Sequence, residues 1–261
     1  MGTTETKEMK TLSYIKKGLF LTLLAFISLT LTAQSTDRIG KTTYGSWTSF
    51  RTSYQVMKFD INKETSQYFS NSTDKLSNLR GISVDYSIGI SLSKKIPIYL
   101  EIPIGLTYAS SNDEYTNKDQ NQKVNSSLQF MSMYFPVNFI YRVFVGNSIS
   151  ISPYAGLKVR TNILCDYTYS QKLINDSYGD SEDVNMTVNL LEQNNIDKKY
   201  EDIGLEEVPT AAKKIQLGWQ IGVNIVYNNF LVGVNYGSDF GEIFKGARLK
   251  TTQVSIGLRL Y

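Results

Sequence analysis

The chain has no histidine and a single cysteine, Cys165, among its 261 residues. Without an imidazole there can be no Ser-His-Asp or Cys-His nucleophilic centre, no histidine metal site and no histidine proton shuttle. A lone thiol excludes an internal disulfide and a thiolate metal cluster. Long apolar runs are also missing, apart from one near the N-terminus. The mean hydropathy of −0.22 is too low for a bundle of membrane helices.

That one apolar run covers residues 19–31 and follows Lys10, Lys16 and Lys17. Ala33 then offers a small residue for cleavage. A basic start, an apolar middle and a small-residue exit describe a secretory signal peptide over residues 1–33. The run is too short for a spanning helix, which needs about 20 residues. Met9-Lys10 reads as a natural start, which leaves 1–8 as a tag or an upstream start. Removing 1–33 leaves 23 basic against 22 acidic residues, so most of the apparent basicity belongs to the leader. Nothing in residues 34–261 has the clustered basic face that nucleic acid requires.

What is abundant is tyrosine and glycine, 18 of each, set in a period of two. Ile215, Leu217, Trp219, Ile221, Val223, Ile225 and Tyr227 alternate with Gln216, Gly218, Gln220, Gly222 and Asn224. A strand sends these two sets to opposite faces. The same alternation recurs over 82–92, 96–108, 131–143, 149–159, 230–236 and 252–260, and less cleanly over 44–58, where Trp47 breaks phase with Phe50 and Tyr54. Ordinary strands run about 5–6 residues, whereas a tilted membrane-spanning strand needs about 9–11. Tight connections near Lys94-Lys95, Gly146-Asn147 and Asn228-Asn229 alternate with longer ones near 60–78, 110–127, 168–213 and 238–247. Eight strands with this alternation place all the tight turns and both termini on one side.

These features predict an all-β fold, an eight-stranded antiparallel up-and-down transmembrane β-barrel over residues 34–261. A sheet can span lipid only if it closes, because hydrocarbon leaves no water for its edges. A soluble sandwich or lipocalin-like barrel is the rival, and strand length and the leader count against it. Four segments carry a family resemblance: 133–145 (MYFPVNFIYRVFV), 151–159 (ISPYAGLKV), 217–234 (LGWQIGVNIVYNNFLVGV) and 254–261 (VSIGLRLY). Together they resemble the outer-membrane β-barrel domain of Bacteroides-type Gram-negative bacteria, PorT-like or OmpA-type small barrels. The resemblance implies an outer-membrane location with periplasmic termini. It also implies insertion by the barrel-assembly machinery, which reads the last strand. Such strands usually end on an aromatic in phase with the lipid face. Here Leu260 is in phase with Leu258 and Ile256, and Tyr261 falls one step beyond.

The inward set holds Asp85, Glu101, Arg142, Lys158, Arg160 and Arg259, with Gln220, Asn224 and Gln253. Eight strands enclose an interior just wide enough for side chains. These charges are therefore expected to form a pairing network that plugs the lumen. A narrow pore or small-ligand site with a basic lumen is the alternative. Residues 171–210 hold ten acids against three lysines. Within them Asp180, Glu182 and Asp183 are a candidate cation-binding loop, without calcium-loop spacing. Tyr44, Tyr86, Tyr108, Tyr141, Tyr227, Tyr236 and Trp219 are candidate interface aromatics. Small-barrel enzymes that rely on histidine are excluded. A non-enzymatic monomer is expected, structural, adhesive or accessory to an envelope assembly. No cofactor or resident metal is expected. The expected partners are outer-membrane lipid and lipopolysaccharide, and no nucleic acid.

Overall fold

In the computed structural model, the described residues are 45–61, 78–93, 95–117, 122–145, 148–173, 184–202 and 210–261. The proposed leader, Tyr44 and Asp180, Glu182 and Asp183 lie outside them. Ten strands form: β1 (Ser46–Ile61), β2 (Leu79–Ser91), β3 (Ile98–Asn117), β4 (Gln122–Tyr141), β5 (Val143–Val145), β6 (Ile149–Leu173), β7 (Val184–Asn189), β8 (Ile215–Tyr227), β9 (Phe230–Asp239) and β10 (Ala247–Leu260). Among the described residues one helix, α1 (Gln193–Asp202), sits between β7 and β8. Every pairing is antiparallel, and β1 pairs with β10 while β4 pairs with β6, so eight strands close into a ring. β5 continues β4 beyond a break at Arg142, and β7 pairs only with β6.

The register fixes the barrel's shape. Following paired residues from Trp47 leads through Gly89, Glu101, Asn138, Gly156, Gln220, Gly237 and Thr251 to Met57. The circuit returns to β1 ten residues further along the strand. At ~3.3 Å per residue and ~4.8 Å between strands, that stagger tilts the strands by about 40°. Thr48 pairs with Leu260 and Ser46 with Ile90, so the start of β1 and the end of β10 share the end that carries the tight turns. At one of these turns Asn228 takes φ +52°, a left-handed conformation that Asn tolerates.

The two faces divide as the alternation predicts. Val254, Ile256 and Leu258 point outward and are exposed, while Arg259 is fully buried. The expected loop at 110–127 is a correction. β3 and β4 run through it to Asn117 and from Gln122, leaving a short connection. Above Tyr108 the outward positions of β3 become Ser110, Asn112, Glu114 and Thr116, all exposed. The strands continue there as an ordinary polar sheet, which the search for an apolar face does not detect. The long connection at 168–213 is similarly shortened, because β6 extends to Leu173 and β7 and α1 occupy part of the rest. A register shift near Met131/Ser132 leaves Ile163 as the extra residue of β6 and brings Cys165 to the inner face.

At the loop end an apolar cluster packs inside the barrel. Met57, Leu79, Leu128, Phe130, Cys165 and Leu249 from the strands pack against Leu191, Ala212 and Ile243 from the connections. Ile196 of α1 is fully buried against Met186 and Val188 of β7. Leu190 N–H donates to the Cys165 carbonyl, and Lys213 N–H to that of Ile243, which ties these connections down. Cys165 is one of the packed apolar groups.

Candidate functional site

The barrel interior is the candidate site. Its side chains stand in layers because each inward position of a strand faces the next around the ring. The central layer is charged. Arg51 Nε donates to Asp85 Oδ1 at 2.7 Å and its Nη1 to Glu101 Oε2 at 3.4 Å. Tyr134 Oη donates to Asp85 Oδ2 at 3.0 Å. Ser87 Oγ donates to Glu101 Oε1 at 3.1 Å, and Asn138 Nδ2 to Oε2 at 3.5 Å. Gln220 Nε2 donates to Asn138 Oδ1 at 2.8 Å and carries the network across the barrel. One layer on, Asn235 donates to Gln253, and Gln253 donates to both Gln55 and Ser83. Nearer the loop end Arg160 pairs with Asp239 and donates through Nε to Asn162 at 3.1 Å.

Each expected lumen residue is buried: Asp85, Glu101, Arg142, Lys158, Arg160 and Arg259. They do not form one network of pairs. Asp85 and Glu101 gather around Arg51, and Arg259 Nη2 lies 3.8 Å from Glu101 Oε1. Arg160 takes Asp239. Lys158 has no ion pair among the described residues. Arg142 is held by aromatic rings instead, with its guanidinium carbon 4.2 Å from the Trp47 ring centre and 4.8 Å from that of Tyr99. Among the described residues the ion pairs of the lumen thus include neither Lys158 nor Arg142. The ring faces supply the electrostatic contact at Arg142.

Arg51, Tyr134 and Asp239 belong to the site and were missed in the sequence. Arg51 lies on the strand whose alternation Trp47 disturbs. Asp239 falls in a segment read as loop. Tyr134 occupies an inward position, but nothing in its spacing marks it as a partner of Asp85. The space that large side chains need comes from glycines on neighbouring strands. A Cβ at Gly89 would overlap the Trp47 ring, and one at Gly222 would lie 2.6 Å from Tyr154 Oη. Each ring fills the space that a side chain there would take.

A void lined by Arg51, Asp85, Tyr134, Tyr154, Gln220 and Gln253, among others, measures about 10 Å³. That is room for about one water molecule. Among the described residues no group of three or more carboxylate or thiol side chains is placed to hold a metal ion.

Outside, the candidate interface aromatics that are described all project from the barrel. Tyr108, Tyr141, Tyr227 and Tyr236 are exposed, and Trp219 packs edge-on against Tyr236 with centres 5.7 Å apart. Tyr86 lies on the same face, half-buried. Just beyond the apolar belt, at the loop end of β2, β1 and β10, stand Arg80, Lys58, Lys250 and Arg248. Lys58 sits directly opposite Lys250, and Asp60 lies 2.9 Å from Lys250 Nζ.

No protein-family model and no curated protein matches this chain. Solved structures with a similar course of chain do exist. The attachment invasion locus protein Ail of Yersinia pestis, solved with the heparin analogue sucrose octasulfate, is 10% identical with a TM-score of 0.42, covering 82% of this chain and 99% of Ail. A major outer membrane protein of Thermus thermophilus is 11% identical with a TM-score of 0.38, covering 82% and 99%. Neisserial surface protein A is 13% identical with a TM-score of 0.36, covering 82% and 96%. The eight-stranded antiparallel barrel itself is established by the closed strand pairing of this chain.

Proposed function

We propose that this protein is a non-enzymatic, monomeric integral protein of the outer membrane, with a sealed lumen and periplasmic termini. Its work is then done at its surfaces, as a structural, adhesive or accessory component of the envelope. The observation that carries this reading is the inversion of the two faces. Ile82, Leu157, Leu217, Val232 and Ile256 are among many large apolar residues exposed around the outside, while Arg51, Asp85, Glu101, Arg160 and Asp239 are buried inside. Such a belt in water would be a large adhesive patch. In lipid it is the matched surface.

The signal peptide over 1–33, the Bacteroides-type affinity and insertion through the last strand belong to the same proposal. Lipid and lipopolysaccharide are the natural neighbours of the belt. The basic group Lys58, Arg80, Arg248 and Lys250, set at the belt's loop-end border, supports contact with lipid phosphates on that side. The pore alternative has less support, because the void beside Arg51 and Asp85 measures only about 10 Å³ and apolar side chains around Phe130, Leu191 and Ile243 pack together at the loop end.

Two measurements test the proposal. The folded protein, recovered with the outer-membrane fraction, should run at a different gel position before and after boiling. In planar bilayers it should give no sustained conductance steps. Recovery as a soluble periplasmic protein would overturn the membrane reading, and regular ion-selective steps would overturn the sealed lumen.

A further inference from the structure

At the end of the barrel that carries the termini, two arginines flank one indole. The guanidinium carbons of Arg142 and Arg259 lie 4.2 and 4.7 Å from the Trp47 ring centre. Arg142 is 3% exposed and Arg259 is fully buried. Like charges this close, away from water, repel and need an acid nearby. Among the described residues Arg142 has no acid partner, and Arg259 shares Glu101 with other groups. Asp85 serves Arg51 and Tyr134, and Glu101 serves Arg51, Ser87 and Asn138, with Arg259 reaching it only at 3.8 Å. Arg142 Nε and Nη2 and Arg259 Nε, Nη1 and Nη2 are buried without a hydrogen-bond partner among the described residues.

From this geometry we infer that Arg142 and Arg259 form a binding site for a small oxyanion, of the phosphate, sulfate or carboxylate class, entered from the end with the tight turns. Arg142 lies over Trp47 and Tyr99 and Arg259 over Trp47, and the N–H groups named above have no partner among the described residues. Guanidinium N–H edges have the fork geometry that fits two oxygens of an oxyanion. Access is from one side. Apolar side chains pack together at the loop end, whereas the rings that approach Arg142 from the turn end, Phe144 at 5.7 Å and Tyr261 at 5.3 Å, are 46% and 38% exposed. The out-of-phase terminal aromatic thereby gains a reason, since its inward phase places Tyr261 beside Arg142. In the membrane reading above, on which the source of the ligand rests, the anion comes from the periplasm.

Trp47 itself is the reporter. In the full chain carrying Trp219→Phe, folded in detergent, Trp47 is the single tryptophan. Titration with sodium phosphate, then sulfate, then acetate, at constant ionic strength, should change its fluorescence in a saturable way. The order of the three half-saturation points identifies the class of oxyanion. Phosphate should also raise the melting temperature in step with occupancy. Arg142→Gln should raise the half-saturation point by at least about tenfold, since the charge-assisted bonds are lost. Arg142→Lys, which keeps the charge and loses the fork, should fall between. The gel shift on boiling verifies folding in each variant. If Arg142→Gln does not fold, the weakening in Arg142→Lys carries the test. A flat or linear response to all three anions in the folded parent overturns the site, as does an unchanged midpoint in either folded variant. Membrane insertion and conductance are read on the same samples, so a failed site and a failed membrane reading give different results.

Discussion

Glu101 bears most of the electrostatic work of the lumen. It is fully buried and answers Arg51, Arg259, Ser87 and Asn138 together. Removing one partner from a buried charge group leaves the others uncompensated, at a cost of about 3–5 kcal/mol. Glu101→Gln should therefore lower the unfolding free energy by about that amount in a urea titration. A loss under ~1 kcal/mol would mean that water already satisfies Arg51 and Arg259. Gly89 tests shape instead of charge. Its missing side chain is the space that the Trp47 ring fills. Gly89→Ala should cost about 1–3 kcal/mol by overpacking. Most of that cost should vanish when Trp47 is replaced by Leu in the same chain, and a double-mutant cycle measures the coupling. Single residues were the least legible scale in the sequence. Period two assigns Glu101 and Arg259 to the inner face, but it cannot say that Arg51 stands between two acids or that Arg142 is met by rings. Those pairings depend on the ten-residue stagger, which no single strand records.

The strands were legible wherever apolar outer residues alternate with polar inner ones, as in β8 and β10. Legibility ended where that contrast ended. Beyond Tyr108 the outer positions of β3 are Ser110, Asn112 and Glu114, so the strand continues with no apolar face to announce it. In β6 the extra residue Ile163 shifts the phase and hides the upper third of the strand. The same contrast gives a test along one element. On β10 an arginine at the midplane of the lipid face costs about 2–4 kcal/mol, and one near the border about 0–1. Ile256→Arg should thus destabilise the barrel in vesicles by several-fold more than Thr252→Arg, two pairs closer to Lys250. Equal costs at the two positions would show that β10 faces no hydrocarbon gradient.

The whole molecule is a closed ring with unlike ends. One end is packed with apolar side chains from β7, α1 and the connections around Phe130. The other presents arginines against Trp47, Tyr99 and Tyr261. A belt of exposed aliphatic side chains runs between them. Closure satisfies the backbone of every ring strand, and the belt then requires a solvent that is itself apolar. That requirement is the central claim, and spin-label accessibility along β10 tests it most directly. With Cys165 replaced by Ala, single labelled cysteines at Lys250, Thr252, Val254, Ile256 and Leu258 would be examined in lipid vesicles. The account predicts that collisions with oxygen, relative to those with a water-soluble nickel reagent, rise from Lys250 to a maximum at Val254 and Ile256. High nickel accessibility at all five positions, with no such maximum, would contradict it.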